Sequence, residues 1–149
     1  MAEHQVTIRW QRTTPDFDYN TFDRTHTWYF SGGQTVQGSS APAYHGNPAL
    51  VNPEEALVAT LSSCFMLTFL SIAARRRFVV ESYEDRAEGE LGKNDQGRIM
   101  ISRITLHPRV VFSTDRLPDT ETLANLYRRA EENCFVSNSL RSEVVVEPR

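Results

Sequence analysis

The chain has 149 residues, of which 40% are hydrophobic and 23% are charged, and its net charge at pH 7 is −3. This length and balance predict a single domain over residues 1–149 with its own hydrophobic core, and the weakly acidic charge argues against nucleic acid or an anionic membrane as a partner. Met1–His4 has neither a basic start nor an apolar run, so we expect a cytoplasmic protein. In that compartment, two cysteines are expected to be free or redox-active rather than a structural disulfide.

Three short strands are predicted before the first helix. Residues 4–10 alternate between apolar and polar side chains, and residues 24–30 and 35–39 follow as a second and a third strand around a glycine turn at residues 31–34. The polar residues 11–23 are predicted to form a loop. Its aromatic residues alternate, which indicates either a short strand or an aromatic-covered loop. Residues 41–50, with two prolines, lead as a second loop into a helix.

An apolar helix is predicted from Pro53 to the arginines at residues 75–77. Asn52 is suited to cap it, and Glu55, three residues later, completes a capping box. Apolar residues surround the whole helix, which predicts burial on all sides. A membrane span is an alternative, because the run is nearly long enough, but the five hydroxyl residues within residues 56–74 argue against it.

After this helix, residues 78–91 are predicted to form a long strand, with a turn at residues 92–97 and a return strand at residues 98–112. Pro108 interrupts the return strand and indicates a bulge or an edge position. A second helix, capped by Asp119 or Thr120, is expected to end near residue 133. A helical turn at residues 137–140 and a strand at residues 143–146 complete the order βββ-α-ββ-α-β, which is an α+β fold.

The candidate reactive groups are the two cysteines. Cys64 lies within the first helix and shares one face with Thr60 and Thr68, while Cys134 ends the second helix. A face of small side chains allows close helix packing, and free cysteines are often simply buried. The same face also forms a polar pocket around a thiol, and two cysteines on separate helices are able to act as attacking and resolving thiols. Both interpretations remain open at this point.

A reactive thiol needs a group that stabilises its thiolate, and an arginine is well suited. Only three arginines and no lysine precede Cys64, and among them Arg24 opens a strand on the same side as His26. Glu54 is the natural partner to hold an arginine. Ten residues separate Glu54 from Cys64, which is about 15 Å along a helix. The two cannot share one small pocket unless the helix breaks between them or a second copy of the chain supplies one of them. Because the helix is apolar nearly all round, which indicates that two copies pack together, we expect a homodimer with sites at its interface.

Three motifs together resemble the OsmC/Ohr family, the osmotically induced and organic hydroperoxide resistance proteins. They are Asn52-Pro53-Glu54-Glu55-Ala56-Leu57, Ser63-Cys64-Phe65 and Asn133-Cys134-Phe135-Val136-Ser137. The segment Phe22-Asp23-Arg24-Thr25-His26, followed by Gly32-Gly33, looks like the signature of one OsmC-like branch. Phe135 stands where many relatives have a proline.

The resemblance implies an intertwined homodimer with long central helices wrapped by antiparallel sheets. It also implies a thiol-dependent peroxidase that needs no metal, flavin or other cofactor. Cys64 would be the peroxidatic thiol and Cys134 the resolving thiol, while Arg24 would hold the thiolate and polarise the peroxide, and Glu54 would orient Arg24. The implied substrates are small-molecule hydroperoxides, reduced to alcohols, and the implied reductant is a dithiol or a lipoyl-bearing protein.

Apolar walls from Leu61, Phe65 and the aromatic loop are expected to favour organic hydroperoxides over hydrogen peroxide. One rival hypothesis is a binding protein with the same dimer and an apolar pocket for an acyl or aromatic ligand. A metal site using His26, His45 and the cysteines is a second rival, but no close His/Cys spacing favours it.

Overall fold

The structure is a computed structural model that describes residues 3–149. These residues form two compact units, residues 3–56 and 57–149. The described residues form eight strands in three sheets and two α-helices. This arrangement confirms the α+β class that the sequence predicts.

The first unit contains an antiparallel sheet with the strand order β1 (Val6–Arg9), β2 (His26–Phe30) and β3 (Thr35–Gly38). Gly33 in the β2–β3 turn has a φ of 91°, which residues with a side chain rarely adopt. All four residues of β1 are exposed, including the apolar Val6 and Ile8. A single protomer therefore leaves apolar side chains of this sheet uncovered.

The loop between β1 and β2 is covered by aromatic side chains, which decides between the two alternatives for this segment. The ring centroids of Trp10, Phe17 and Phe22 lie 5.1 to 6.1 Å apart. Trp10 Nε1 also donates a hydrogen bond of 2.6 Å to the carbonyl oxygen of Asp23. These contacts hold the loop against the end of β1 without a further strand.

The long helix α1 (Pro53–Arg75) begins in the first unit and continues into the second. Its start is the predicted capping box: the Glu55 N–H donates to Asn52 Oδ1 at 2.8 Å, and the Asn52 N–H donates to Glu55 Oε2 at 3.3 Å. Each residue thus satisfies a backbone donor of the other, which sets where the helix begins.

A Schellman motif ends α1. The Phe78 N–H donates to the Ala73 carbonyl and the Arg77 N–H to the Ala74 carbonyl, each at 2.9 Å. Arg77 occupies the left-handed position with a φ of 63°, where glycine is usual. The side chain of Phe78 is buried beyond the motif and anchors the chain as it leaves the helix.

Burial around α1 differs from the prediction. Only one stripe of the helix is buried, at a spacing of four residues, and it consists of Leu61, Phe65, Phe69 and Ala73. Within the 18-residue stretch of α1 that has the highest hydropathy, only 22% is buried. The expectation of burial on all sides is therefore wrong for a single protomer. The helix α1 is long and apolar enough to cross a membrane. The core helices of soluble proteins also meet this criterion of length and composition.

The second unit contains two sheets. In one, β4 (Val80–Asp85) pairs antiparallel with β7 (Pro108–Phe112). In the other, β6 (Ile99–Leu106) lies between β5 (Glu88–Lys93), which is antiparallel to it, and β8 (Glu143–Val146), which is parallel to it. The second unit therefore contains both antiparallel and parallel strand pairs, and not one continuous set of hairpins.

The two long strands predicted over residues 78–91 and 98–112 are therefore wrong, because each is two strands that belong to different sheets. The carboxylate of Asp85 lies at the junction, where it accepts the His107 N–H at 2.6 Å and the Ser62 hydroxyl at 2.5 Å. Arg86 and Ala87, between β4 and β5, include neither glycine nor proline, so only Pro108 signals a break in the sequence. Pro108 begins β7 in the two-stranded sheet, which agrees with its predicted edge position.

Helix α2 (Thr120–Asn133) is capped by Asp119, whose Oδ1 accepts the Thr122 N–H at 2.7 Å. This hydrogen bond lowers the pKa of Asp119. A 3-10 turn follows at Ser137–Ser139, close to the predicted helical turn. The core of the unit combines the buried stripe of α1 with residues of β6 and α2, namely Ile104, Leu106, Leu126, Tyr127, Ala130 and Cys134.

Candidate thiol site

Cys64 and Cys134 lie beside one another in the second unit, and both are free thiols. Cys64 is half-buried and opens into a groove of about 870 Å³, called the thiol groove below, between α1 and the segment that follows α2. Its lining includes Thr60, Cys64, Leu67, Thr68, Ile72, Phe135 and Val136. The predicted shared face of Thr60, Cys64 and Thr68 therefore borders a cavity and not a packed helix surface.

The surroundings of Cys64 favour its thiolate. Partial burial opposes ionisation, but the backbone N–H groups of Val136 and Phe135 and the thiol of Cys134 donate to its sulfur and keep its pKa below that of an ordinary cysteine. Thr68 makes the smallest contribution, and its hydroxyl donates to the Cys64 carbonyl oxygen at 2.8 Å. Cys64 is therefore the more readily ionised of the two thiols.

The surroundings of Cys134 have the opposite effect. Burial and the neighbouring Cys64 raise the pKa of Cys134 to about 11, although the backbone N–H groups of Ser137 and Val136 oppose the shift. The Ser137 N–H lies 3.5 Å from Cys134 Sγ. Cys64 therefore loses its proton at a lower pH than Cys134, and the protonated Cys134 thiol is a donor to the Cys64 sulfur.

The walls of the thiol groove differ from the expectation. Leu61 and Phe65 are fully buried in the core and do not reach the groove. Its apolar lining comes instead from Leu67 and Phe135, which are 58% and 83% exposed, and from the half-buried Ile72. These side chains still present an apolar surface next to the Cys64 sulfur.

Arg24 lies in the first unit, where its own loop holds it. Its guanidinium donates to the carbonyl oxygens of Phe22 at 2.9 Å and Tyr19 at 2.6 Å, and it stacks on the Phe22 ring at 3.8 Å from the centroid. Within residues 3–149 no ion pair joins Arg24 to Glu54. The role predicted for Arg24 at the thiolate stays a prediction.

Glu54 lies in the first turn of α1, and its Oε2 is buried with no hydrogen-bond partner in the described part of the chain. The helix is unbroken from Pro53 to Arg75, so Glu54 and Cys64 of one protomer are about 15 Å apart along it. A buried polar oxygen without a hydrogen-bond partner costs free energy.

A second cavity, of about 490 Å³, lies in the first unit and is called the aromatic pocket below. Its lining includes Trp10, Phe17, Tyr19, Phe22, Arg24 and His26. His26 Nδ1 lies 2.8 Å from the Arg24 carbonyl oxygen. Across residues 3–149, no three His, Cys, Asp or Glu side chains are placed to hold one metal ion, so the rival metal site has no support in the geometry.

Sequence reasoning identified both thiols but missed the backbone of Phe135, Val136 and Ser137 as their main polar partners. The type of a residue does not reveal a backbone donor, because every residue except proline has a backbone N–H. The only available signal was the position of these residues directly after Cys134.

Comparison with known proteins gives consistent results. Residues 46–149 match the family described as OsmC-like protein. An OsmC-like protein from Vibrio cholerae has a similar structure, with a TM-score of 0.96, 44% identity and coverage of 100% of both chains. The organic hydroperoxide resistance protein OhrB of Bacillus subtilis shares the fold, with a TM-score of 0.70, 20% identity and coverage of 99% of this chain and 98% of that one. YmaD of Bacillus subtilis is 24% identical over 124 residues, which is 82% of each chain.

Proposed function

Since this chain belongs to the OsmC-like protein family, which includes organic hydroperoxide resistance proteins, we propose that it is a thiol peroxidase that reduces organic hydroperoxides to alcohols. One observation carries the proposal: two free thiols are in contact at a groove, with the pKa of Cys64 lowered and that of Cys134 raised. A nucleophile and a protonated resolving thiol need these opposite states.

The proposed cycle has three steps. The Cys64 thiolate attacks the terminal oxygen of the hydroperoxide, the O–O bond breaks, and the alkoxide takes up a proton and leaves as the alcohol. Cys134 then attacks the Cys64 sulfenic acid, forming the disulfide, and the displaced hydroxide leaves as water with the Cys134 proton. An external dithiol or a lipoyl-bearing protein supplies two electrons and two protons by exchange and restores both thiols.

The proposal includes an intertwined homodimer with α1 at its centre. The uncovered apolar residues of β1 and the exposed side of α1 provide surface for a second copy, and Glu54 lies too far along α1 to act on Cys64 of its own chain. Arg24 is proposed to hold the thiolate and polarise the peroxide, with Glu54 as its orienting partner. The protein is proposed to work in the cytoplasm, with no nucleic acid or membrane as a partner.

The substrates are proposed to be organic hydroperoxides rather than hydrogen peroxide. Leu67, Ile72 and Phe135 give the thiol groove apolar walls that an alkyl or aryl group would cover. Turnover of cumene hydroperoxide is expected to exceed that of hydrogen peroxide at equal concentration. A clear preference for hydrogen peroxide would refute this part of the proposal.

Intact-protein mass spectrometry after one equivalent of cumene hydroperoxide tests the cycle. We expect a disulfide between Cys64 and Cys134 in the wild type, an oxidised Cys64 without disulfide in Cys134→Ser, and no reaction in Cys64→Ser. Unmodified thiols in the wild type would contradict the proposed function.

A second candidate function is a non-catalytic binding protein for an acyl or aromatic ligand. The aromatic pocket favours it, because its lining is mostly apolar rings within one compact unit. Peroxide-dependent oxidation of dithiothreitol separates the candidates, since a peroxidase oxidises it in the wild type and not in Cys64→Ser. Equal background oxidation by both proteins would favour the binding function.

A further inference from the structure

A second groove of the same unit, called the arginine groove below, lies between the C-terminal part of α1 and helix α2 and has a volume of about 930 Å³. Its lining is mostly polar and contains four arginines, which are Arg75, Arg76, Arg128 and Arg129. The carboxylates of Glu121 and Glu132 also line it. Because four guanidinium groups face two carboxylates, the groove has a net positive charge.

The guanidinium groups of this groove are not neutralised by the chain itself. Within residues 3–149, no ion pair joins any of the four arginines to a carboxylate. Arg76 Nη1 donates to a neutral acceptor, Asn125 Oδ1, at 3.3 Å. A helix C-terminus favours each positive charge separately, but it does not explain why two helices place two arginines each around one cavity. The charge is therefore available to an anion from outside the chain.

The arginine groove and the thiol groove are contiguous, because Ile72, Arg75 and Arg129 line both. Beyond this boundary, Leu67 and Phe135 give the thiol groove its apolar walls beside Cys64. Ile72 lies eight residues after Cys64, which is about 12 Å along α1. The lining thus changes from apolar at the sulfur to cationic at the boundary, which matches an elongated molecule with an apolar body and an acidic head.

We propose that Arg75 and Arg129 bind the carboxylate of an amphipathic organic acid, whose apolar body lies in the thiol groove and reaches Cys64. A guanidinium binds a carboxylate through two parallel N–H donors, and covering Leu67 and Ile72 with an alkyl chain adds to the affinity. In peroxide reduction this subsite favours hydroperoxides that carry a carboxylate. That consequence rests on the proposed function, whereas binding of the acid does not.

The probes are octanoate and octanamide, which share an alkyl chain and differ in the charge of the head group. Arg75→Gln and Arg129→Gln each remove one guanidinium from the boundary. Arg77→Gln is the matched control, because it removes the same charge from the same end of α1 and Arg77 lines a separate cavity. It also keeps a long side chain at the left-handed position. Circular dichroism and a thermal melt establish that each variant is folded.

The assay is protection of Cys64 from iodoacetamide, with the alkylated Cys64 peptide quantified by mass spectrometry. Protection is expressed relative to the unprotected rate of the same variant, so that a change in the thiolate fraction cancels. We expect octanoate to protect the wild type at lower concentrations than octanamide. Each boundary variant should raise the octanoate concentration for half protection about threefold, the loss expected for one exposed ion pair, and leave octanamide unchanged. Added salt should weaken protection by octanoate through screening.

Equal protection of the wild type by octanoate and octanamide would overturn the proposal, because the groove would then recognise only an alkyl chain. So would absence of protection by octanoate, unchanged protection in both boundary variants, or a loss in Arg77→Gln as large as theirs. Alkylation needs no peroxide, so failure of the carboxylate subsite and failure of the peroxidase proposal are observed separately.

Discussion

Cys134 is expected to act on Cys64 in two separable ways, as a hydrogen-bond donor to the thiolate and as the sulfur that forms the disulfide. Cys134→Ser keeps a donor and removes the disulfide, whereas Cys134→Ala removes both. The site is fully buried, and a serine hydroxyl placed there would also be able to accept the Ser137 N–H. Comparing the two variants therefore isolates the donor.

The size of the effect follows from the environment of Cys64. A hydrogen bond to a charged group contributes about 1.5–3 kcal/mol, but water partly screens the half-buried Cys64 sulfur, which leaves about 1 kcal/mol for the hydroxyl donor of Cys134→Ser. Losing the donor raises the pKa of Cys64. Below that pKa, the thiolate fraction in Cys134→Ala should be about fivefold lower than in Cys134→Ser.

The assay is single-turnover consumption of one equivalent of cumene hydroperoxide between pH 5 and pH 9. The rates of the two variants are expected to differ about fivefold at pH values below both Cys64 pKa values and to converge as the pH rises above them. Profiles that superimpose throughout would show that the Cys134 thiol does not stabilise the thiolate. A faster reaction of Cys134→Ala than of Cys134→Ser at low pH would contradict the expected stabilisation of the thiolate.

Three further predictions concern stability and assembly. Asn52→Ala removes the cap of α1 and is expected to cost about 1 kcal/mol in urea unfolding, while unchanged stability would show that the capping box contributes nothing. Arg77→Gly relieves the left-handed conformation at φ 63° and should raise the free energy of unfolding by about 0.5–1 kcal/mol, whereas Arg77→Ala should not. In analytical ultracentrifugation the wild type is expected at twice 17.0 kDa, and Leu67→Arg, which puts a charge on the exposed side of α1, is expected to shift it toward the monomer. A monomeric wild type would contradict the proposed dimer.

Local sequence signals predicted both helices well, because each helix begins at a capping residue that the sequence shows. Asn52 and Glu55 form a capping box wherever a helix starts between them, and Asp119 caps α2 in the same local way. The two thiols were also predictable, since their positions on two helices and the hydroxyl groups near Cys64 follow from spacing alone. These features depend on residues within a few positions of one another.

The strands of the second unit were predicted less well. Residues 78–91 look continuous because they alternate, and Pro108 is the one local sign of a break within residues 98–112. The Asp85 carboxylate accepts the His107 N–H, from 22 residues away, where the strands change sheets. No local pattern reports such a contact. The error at Leu61 and Phe65 has the same origin, since a helix that is apolar on several sides does not show which side meets the core.

By itself the sequence determined the α+β class and the start of each helix, because these depend on short-range periodicity and capping, and it named the two cysteines as candidate reactive groups. Only the tertiary structure decided which thiol ionises. Burial raises the pKa of both thiols, but hydrogen bonding by the Val136 backbone, the Cys134 thiol and the Phe135 backbone brings the pKa of Cys64 below its usual value, while that of Cys134 stays raised. Backbone dipoles and burial depend on how distant segments meet, and neither is encoded in the type of any single residue.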